Sequence, residues 1–274
     1  MGSELEGMIG MTDDSGRSSG AELYSGSVPG TGKLTVGFTS NLADSNSKKL
    51  RVIELFLVLG VALAPALLGS LLHFLNGLSP RSESEISLRL VFATIYEVLS
   101  LGVLGYVLFR QGRSLRAIGL SCRWRDVPVS VGLAVMSYLA FYLAYLVLYY
   151  VHFFATGQLL KLWDGARTIL GSRPSIALIV FIILNPWFEE LIVRAYTMKE
   201  ITFLLGKPWL AVAISVGIQS SYHLYQGIPN AILLGVGFTV FAMYYVKSGR
   251  IFPVILAHFY ADALSILYLF LPHR

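Results

Sequence analysis

The chain has 274 residues, of which 55% are hydrophobic and only 14% charged, with a formal net charge of +5 and a mean hydropathy of +0.67. Soluble domains run at about 45–50% apolar and about 25% charged, so this composition excludes an ordinary soluble fold and indicates an integral membrane protein. The cations lie mainly in loops between apolar runs, a pattern of membrane topology and not of a nucleic-acid groove, and the single cysteine, Cys122, excludes an internal disulfide.

Residues 1–50 are rich in Gly, Ser and Thr without apolar periodicity. They read as a disordered polar tail, and no basic run leads directly into an apolar core as a signal peptide would. From residue 51 the composition changes. A spanning helix needs about 20 mostly apolar residues. Segments of that kind occur near 52–76, 88–109, 128–154, 175–203, 209–225, 229–247 and 252–271. The expected fold is all-α: a polytopic bundle of about seven membrane-spanning helices (six to eight) occupying 51–274, with the chemically interesting part at 175–271. Pro186 predicts a bend in the fourth span, whereas Pro229 and Pro253 suit helix starts.

Cations favour the cytoplasmic side of a membrane. Lys48, Lys49 and Arg51 precede the first span, and Arg110, Arg113, Arg116, Arg123 and Arg125 follow the second. Lys199 and Lys207 follow the fourth, and Lys247 and Arg250 follow the sixth. With seven spans all of these share one side, while Arg81, Lys161, Arg167 and Arg173 fall on the other. A cytoplasmic N-terminus, most simply in the plasma membrane, is therefore expected.

Ionisable residues inside three of the apolar stretches break the pattern: Glu189, Glu190 and Arg194, then His223, then His258 and Asp262. Each is costly in hydrocarbon unless paired or functional. On a helix, Glu190 and Arg194 are four apart and share a face, so they are expected to pair. Glu189 lies about 100° around the helix and is left over as a candidate base. His258 and Asp262 are likewise four apart. Taken singly, each group has a structural explanation, such as an internal ion pair or a hydrogen-bonded core histidine. Together, on separate helices, they describe what hydrolysis inside a membrane requires: a base for water and donors for an oxyanion.

The order Glu-Glu-x-x-x-Arg, then His in Tyr222-His223-Leu224-Tyr225-Gln226-Gly227, then His258-x-x-x-Asp262 resembles the CPBP family. This is the CAAX-protease and bacteriocin-processing (Abi) group of intramembrane proteases. The resemblance covers roughly residues 90–270, with its motifs at 185–265. It implies an intramembrane endopeptidase acting on a peptide or membrane-protein substrate, lipidated or not, at the bilayer and without nucleic acid. Glu189 with His223 would activate the attacking water, Glu190 with Arg194 would brace the site, and His258 with residue 262 would hold the oxyanion. Two positions depart from the family pattern: Gln219 stands where Phe is common, and Asp262 where Asn is common. An ionised Asp262 would repel an oxyanion, so it is expected to orient His258 instead.

Other readings remain open on the sequence alone. Glu189, His223 and His258 could ligate a divalent metal such as zinc, although the two-His zinc-protease spacing is missing and the favoured reading requires no cofactor. Ser220 and Ser221 precede His223 without the sharp turn of a nucleophile elbow. A non-proteolytic immunity or scaffold role in the membrane is the third alternative. Gly235 and Gly237 are read as small residues that let helices approach closely.

Overall fold

The computed structural model describes residues 32–77, 79, 81–162 and 164–271, with side chains from residue 47 onward. Residues 1–31, most of the expected tail, lie outside the described residues. Residues 32–50, expected to belong to that tail, are instead helical, as the start of a first helix. The regular elements among the described residues are all helices, with no strand among them. Contacts divide the chain into Met1–Ser45, described only as helical backbone from 32, and Asn46–Arg274, which contains everything below.

In chain order the helices are α1 (Gly32–Asn76), α2 (Glu83–Arg110), α3 (Asp126–Thr156), the single-turn α4 (Ala166–Leu170), α5 (Ile176–Glu189), α6 (Thr197–Leu205), α7 (Pro208–Tyr222), α8 (Ile228–Ser248) and α9 (Phe252–Phe270). A π-helical segment, Glu190–Tyr196, joins α5 to α6, so that 176–205 is one continuous apolar helix. The N-terminus of α2 is closed by a capping box, in which Ser82 Oγ accepts from Glu85 N–H and the Glu85 carboxylate accepts from Ser82 N–H. α5 begins at Ser175, whose hydroxyl accepts from Leu178 N–H.

Among the described residues, six helices are long and apolar enough to cross a bilayer: Ser47–Asn76, Glu83–Arg110, Asp126–Thr156, Ile176–Leu205, Ile228–Ser248 and Phe252–Phe270. The expected fifth span, 209–225, is not among them. At 15 residues, α7 is about 22 Å long and falls short of the hydrocarbon thickness of about 30 Å. It nevertheless runs from one side of the bundle toward the other. It starts after Lys207, and the turn beyond it is fastened to α1 at Ser70, whose hydroxyl donates to Ser221 C=O and accepts from Tyr225 N–H. Along α1, Ser70 is about 28 Å from Arg51.

The loops that the charge pattern placed on one side do meet at one end of the bundle. Glu200 is fully buried and accepts from Arg51 at 3.4 Å and from Arg113. Glu54 accepts from Arg110 and, at 2.8 Å, from Gln111. Buried Asp126 pairs with Arg250 at 2.5 Å and accepts from Arg123 N–H at 2.8 Å. At the other end Glu83 accepts from both the backbone N–H and the hydroxyl of Ser172, and Arg167 donates to Leu269 C=O.

The apolar core draws on every long helix and the π segment, and includes Val58, Leu104, Ile192, Tyr196, Ala211, Phe241 and Ile255. The outward faces are apolar as well, with Phe109 82% and Phe154 81% exposed, as a lipid-facing surface requires. Close approach at α8 rests on small residues. A Cβ at Gly235 would stand 2.5 Å from Ser220 Oγ of α7, and one at Gly237 would stand 2.9 Å from Ser137 Oγ of α3.

Gly119 connects the loop after α2 to the α8–α9 turn. Its φ is +94°, its carbonyl accepts from Ile251 N–H at 3.1 Å, and an added Cβ would lie 2.1 Å from Gly249 O. Gly119→Ala is expected to destabilise the protein by about 2 kcal/mol or more through backbone strain and this collision. Gly112→Ala, also at positive φ but facing open space, should cost about 1 kcal/mol. Thermal unfolding of both variants in detergent checks the order, and an unshifted Gly119→Ala transition would refute the contact.

Candidate active site

The site begins with a helix that cannot bury its own charges. Residues 176–188 of α5 are almost wholly apolar, and then Glu189, Glu190 and Arg194 arrive within the continuous helix. Glu189 is 6% exposed, while Glu190 and Arg194 are fully buried. The helix changes to π winding at Glu190, and Thr197 Oγ1 donates to Ile192 C=O, five residues back, at 2.7 Å. Single π turns of this kind often occur at functional sites.

Arg194 donates to Glu190 in the expected i,i+4 pair. Its second terminal nitrogen donates to Gln219 Oε1 of α7, and also to Phe238 C=O of α8 at 3.4 Å. Its guanidinium lies 5.9 Å from the ring centroid of Phe238 and 5.8 Å from that of Phe241, within cation–π reach. The other Glu190 oxygen accepts from His258 Nδ1 of α9 at 2.8 Å. The Glu190 carboxylate is thus shared by a guanidinium and an imidazole.

Glu189 has different partners. Gln219 Nε2 donates to its Oε2 at 2.9 Å, and Asn185 Nδ2 donates to its Oε1 at 3.4 Å. His258 Nε2 lies 4.0 Å from Glu189 Oε2 and 3.7 Å from Asp262 Oδ1. Both separations exceed a hydrogen bond and suit a contact through one water. Asp262 thus stands beside His258 Nε2, as expected from their spacing, without a direct hydrogen bond to it. The hydrogen bond that fixes this imidazole comes from Glu190, 68 positions away in sequence, and a proximity of i,i+4 on the last helix did not decide it.

His223 caps the C-terminus of α7. Its Nδ1 is 3.3 Å from Gln226 Nε2, which can only donate, so Nδ1 accepts and Nε2 carries the hydrogen. Nε2 is buried without a hydrogen-bond partner among the described residues. No direct hydrogen bond to Glu189 accompanies it. The ring packs among Tyr222, Tyr225 and Phe238, with centroid distances of 4.9, 6.0 and 5.6 Å. Phe238 in turn lies 5.7 Å from the His258 ring, so one phenyl group packs against both imidazoles. His223 remains within electrostatic reach of Glu189 and His258.

The structure therefore gathers Glu189, Glu190, Arg194, His258 and Asp262 in direct or near contact, with His223 alongside. Gln219, regarded in the sequence only as a departure from a pattern, proves to be bonded to both Glu189 and Arg194. Glu97 of α2 is a second addition. It is 5% exposed, one of its oxygens has no hydrogen-bond partner among the described residues, and it lies within electrostatic reach of Glu189 and Asp262. A lone carboxylate in an apolar span was the only signal that pointed to it.

Depth follows from helix geometry. Glu189 is about 16 Å along its helix from Glu200, and His258 about 10 Å from Ile251, both measured from the basic end of the bundle. The site thus lies well inside the hydrocarbon thickness of about 30 Å. Next to His223, a cleft of about 190 Å³ is lined by Ser220, Ser221, Leu224, Ile228, Ala231 and Ile232.

Glu189, His223 and His258 are the three donors considered for a metal. Among the described residues no three His, Cys, Asp or Glu side chains stand together as an ion would need.

Residues 171–264 match the family model described as type II CAAX prenyl endopeptidase Rce1-like, consistent with a CPBP-family intramembrane protease. No curated protein and no solved structure matches the chain. The matched stretch contains all six ionisable residues singled out in the sequence.

Proposed function

With residues 171–264 similar to Rce1-like CAAX endopeptidases and six helices fit to cross a bilayer, the chain is an integral membrane protein with a peptidase-type domain, and we propose that it hydrolyses a peptide bond at the site around Glu189. The observation that carries this reading is the buried Glu189 carboxylate. It is held by two neutral amides, with His258 Nε2 4.0 Å away. A carboxylate whose hydrogen-bond partners are neutral amides keeps lone pairs able to accept a proton.

In this reading Glu189 takes the proton of the attacking water. His223 Nε2–H, buried without a partner, directs that water or donates to the scissile carbonyl. Catalytic hydrogen bonds are often long before substrate binds, so the lack of a direct Glu189–His223 bond is compatible with this role. His258, anchored through Nδ1 to Glu190, turns Nε2 toward the same space, where a proton on it would stabilise the developing oxyanion. Glu190 and Arg194 hold His258 and the helix in place. Asp262 sits beside Nε2 and contributes charge. No step is assigned to a metal or any other cofactor.

The substrate is then a peptide segment, free or lipid-linked, that reaches a site about 10–16 Å below the basic face. The basic face is the cytoplasmic one, the N-terminus lies on that side, and the membrane is the plasma membrane. The region from 51 to 274 acts as the membrane domain, with 175–271 as its catalytic part. Cys122 is exposed, in the loop between α2 and α3 at the basic end.

Purified protein in liposomes is expected to cleave a peptide library. Glu189→Gln should lose about 10²–10⁴-fold in kcat, the range that a positioned acid–base group contributes, with an unchanged thermal transition. Activity should survive exhaustive treatment with a chelator. A Glu189→Gln protein as active as wild type refutes the role of Glu189, and loss of activity on chelation, restored by zinc, replaces it with a metal mechanism. For topology, Cys122 should react with a membrane-impermeant maleimide in inside-out vesicles and be protected in right-side-out ones. The reverse labelling would overturn the assigned orientation.

A further inference from the structure

Gln219 is fully buried in α7, and its two amide ends face opposite kinds of group. Nε2, which can only donate, points at Glu189 Oε2 at 2.9 Å. Oε1, which can only accept, receives Arg194, a residue with five donors and no acceptor. The amide orientation is therefore fixed by its neighbours, because a flipped amide would set NH₂ against guanidinium and C=O against carboxylate. No other uncharged side chain of similar length offers one donor and one acceptor in this fork.

We infer that Gln219 is a positioning residue for the reaction at Glu189, holding the carboxylate in place and coupling it through Arg194 to Glu190 and His258. The inference rests on the proteolytic reading above. The physical need is specific. Glu189 and Glu190 are adjacent on one helix, and in a low-dielectric setting both would compete for Arg194. Gln219 resolves the competition. It satisfies Glu189 with a neutral donor while accepting from the second terminal nitrogen of Arg194, whose first terminal nitrogen stays with Glu190. Glu189 then keeps a defined direction, toward His258 Nε2, with a neutral amide and not a guanidinium bonded to it. A phenylalanine here could not do this, so a chain with Phe at this position must hold its first glutamate by other means.

The experiment uses Gln219→Met, which keeps length and neutrality but can neither donate nor accept strongly. It also uses Gln219→Glu, which keeps the acceptor for Arg194 and loses the donor to Glu189. Both are reconstituted as full chains and assayed on the same peptide as wild type. The expected result is a fall in kcat of about 10²-fold in each, the cost of a catalytic group displaced by about 1 Å, with KM within about twofold. A purely structural role predicts lower yield or a lower Tm at wild-type kcat per folded molecule, and that outcome overturns the inference.

A thermal double-mutant cycle supplies a second measurement, independent of cleavage. If Gln219 holds Glu189, the Tm loss caused by Gln219→Met shrinks by about half or more in a Glu189→Ala background; additive losses overturn the contact. A wild-type protein that cleaves nothing would sink the protease reading and the catalytic half of this inference together. The cycle would still decide whether Gln219 holds Glu189.

Discussion

The arrangement depends on one buried cation. Arg194 has no solvent exposure, yet it joins Glu190 on its own helix, Gln219 on α7 and the Phe238 carbonyl on α8. Glu190 extends the network to His258 on α9. An arginine and two glutamates within bilayer depth are tolerable only when nearly every donor and acceptor is paired, since leaving one partner of a buried ion pair alone costs about 3–5 kcal/mol. The consequence is geometric. Four helices must hold one relative position for these bonds to exist together, and that position brings the His258 ring within water-bridging distance of Glu189.

Two features of the fold serve this constraint. The π segment at Glu190–Tyr196 accommodates an extra residue per turn within an otherwise α-helical span, and all seven of its residues are buried, so its charged and apolar side chains alike are enclosed by protein. The short α7 ends before it could finish a crossing, which leaves His223 at a helix terminus inside the protein. Its ring lies against Phe238, and a cleft opens beside it at Ser220, Ser221 and Leu224. Broken or irregular backbone at membrane depth is tolerated only where protein or a water-lined cavity surrounds it. At the basic end, Glu200, Glu54 and Asp126 tie together loops from distant parts of the chain and so fix the ends of the helices that carry the site.

Much of this was legible in the sequence because hydrocarbon makes polar residues conspicuous. Glu189, Glu190, Arg194, His223, His258 and Asp262 stood out for that reason alone, and the i,i+4 rule paired Glu190 with Arg194 correctly. Charge alternation also grouped the loops that meet at the basic end. Local spacing failed where the real partner was remote. Asp262 seemed the natural partner of His258 at i,i+4, but Glu190 reaches that imidazole from another helix, and no sequence period encodes such a contact. Gln219 was visible only as a missing phenylalanine, since a neutral amide gives no charge signal. Residues 32–50 looked too polar for a helix, yet α1 begins at Gly32. Composition reported the absence of an apolar face there, and that is not the same as the absence of a helix.

The central claim is that water reaches a buried carboxylate at the meeting point of four helices. Its most direct test is chemical access at that atom. In a Cys122→Ser background, Glu189→Cys is to be compared with Val135→Cys, which lies on the outward face of α3, using a small charged methanethiosulfonate in reconstituted vesicles. Reaction at position 189 with none at 135 is the predicted result. Protection of both positions would mean that Glu189 is sealed from water, and a hydrolytic site there would be contradicted.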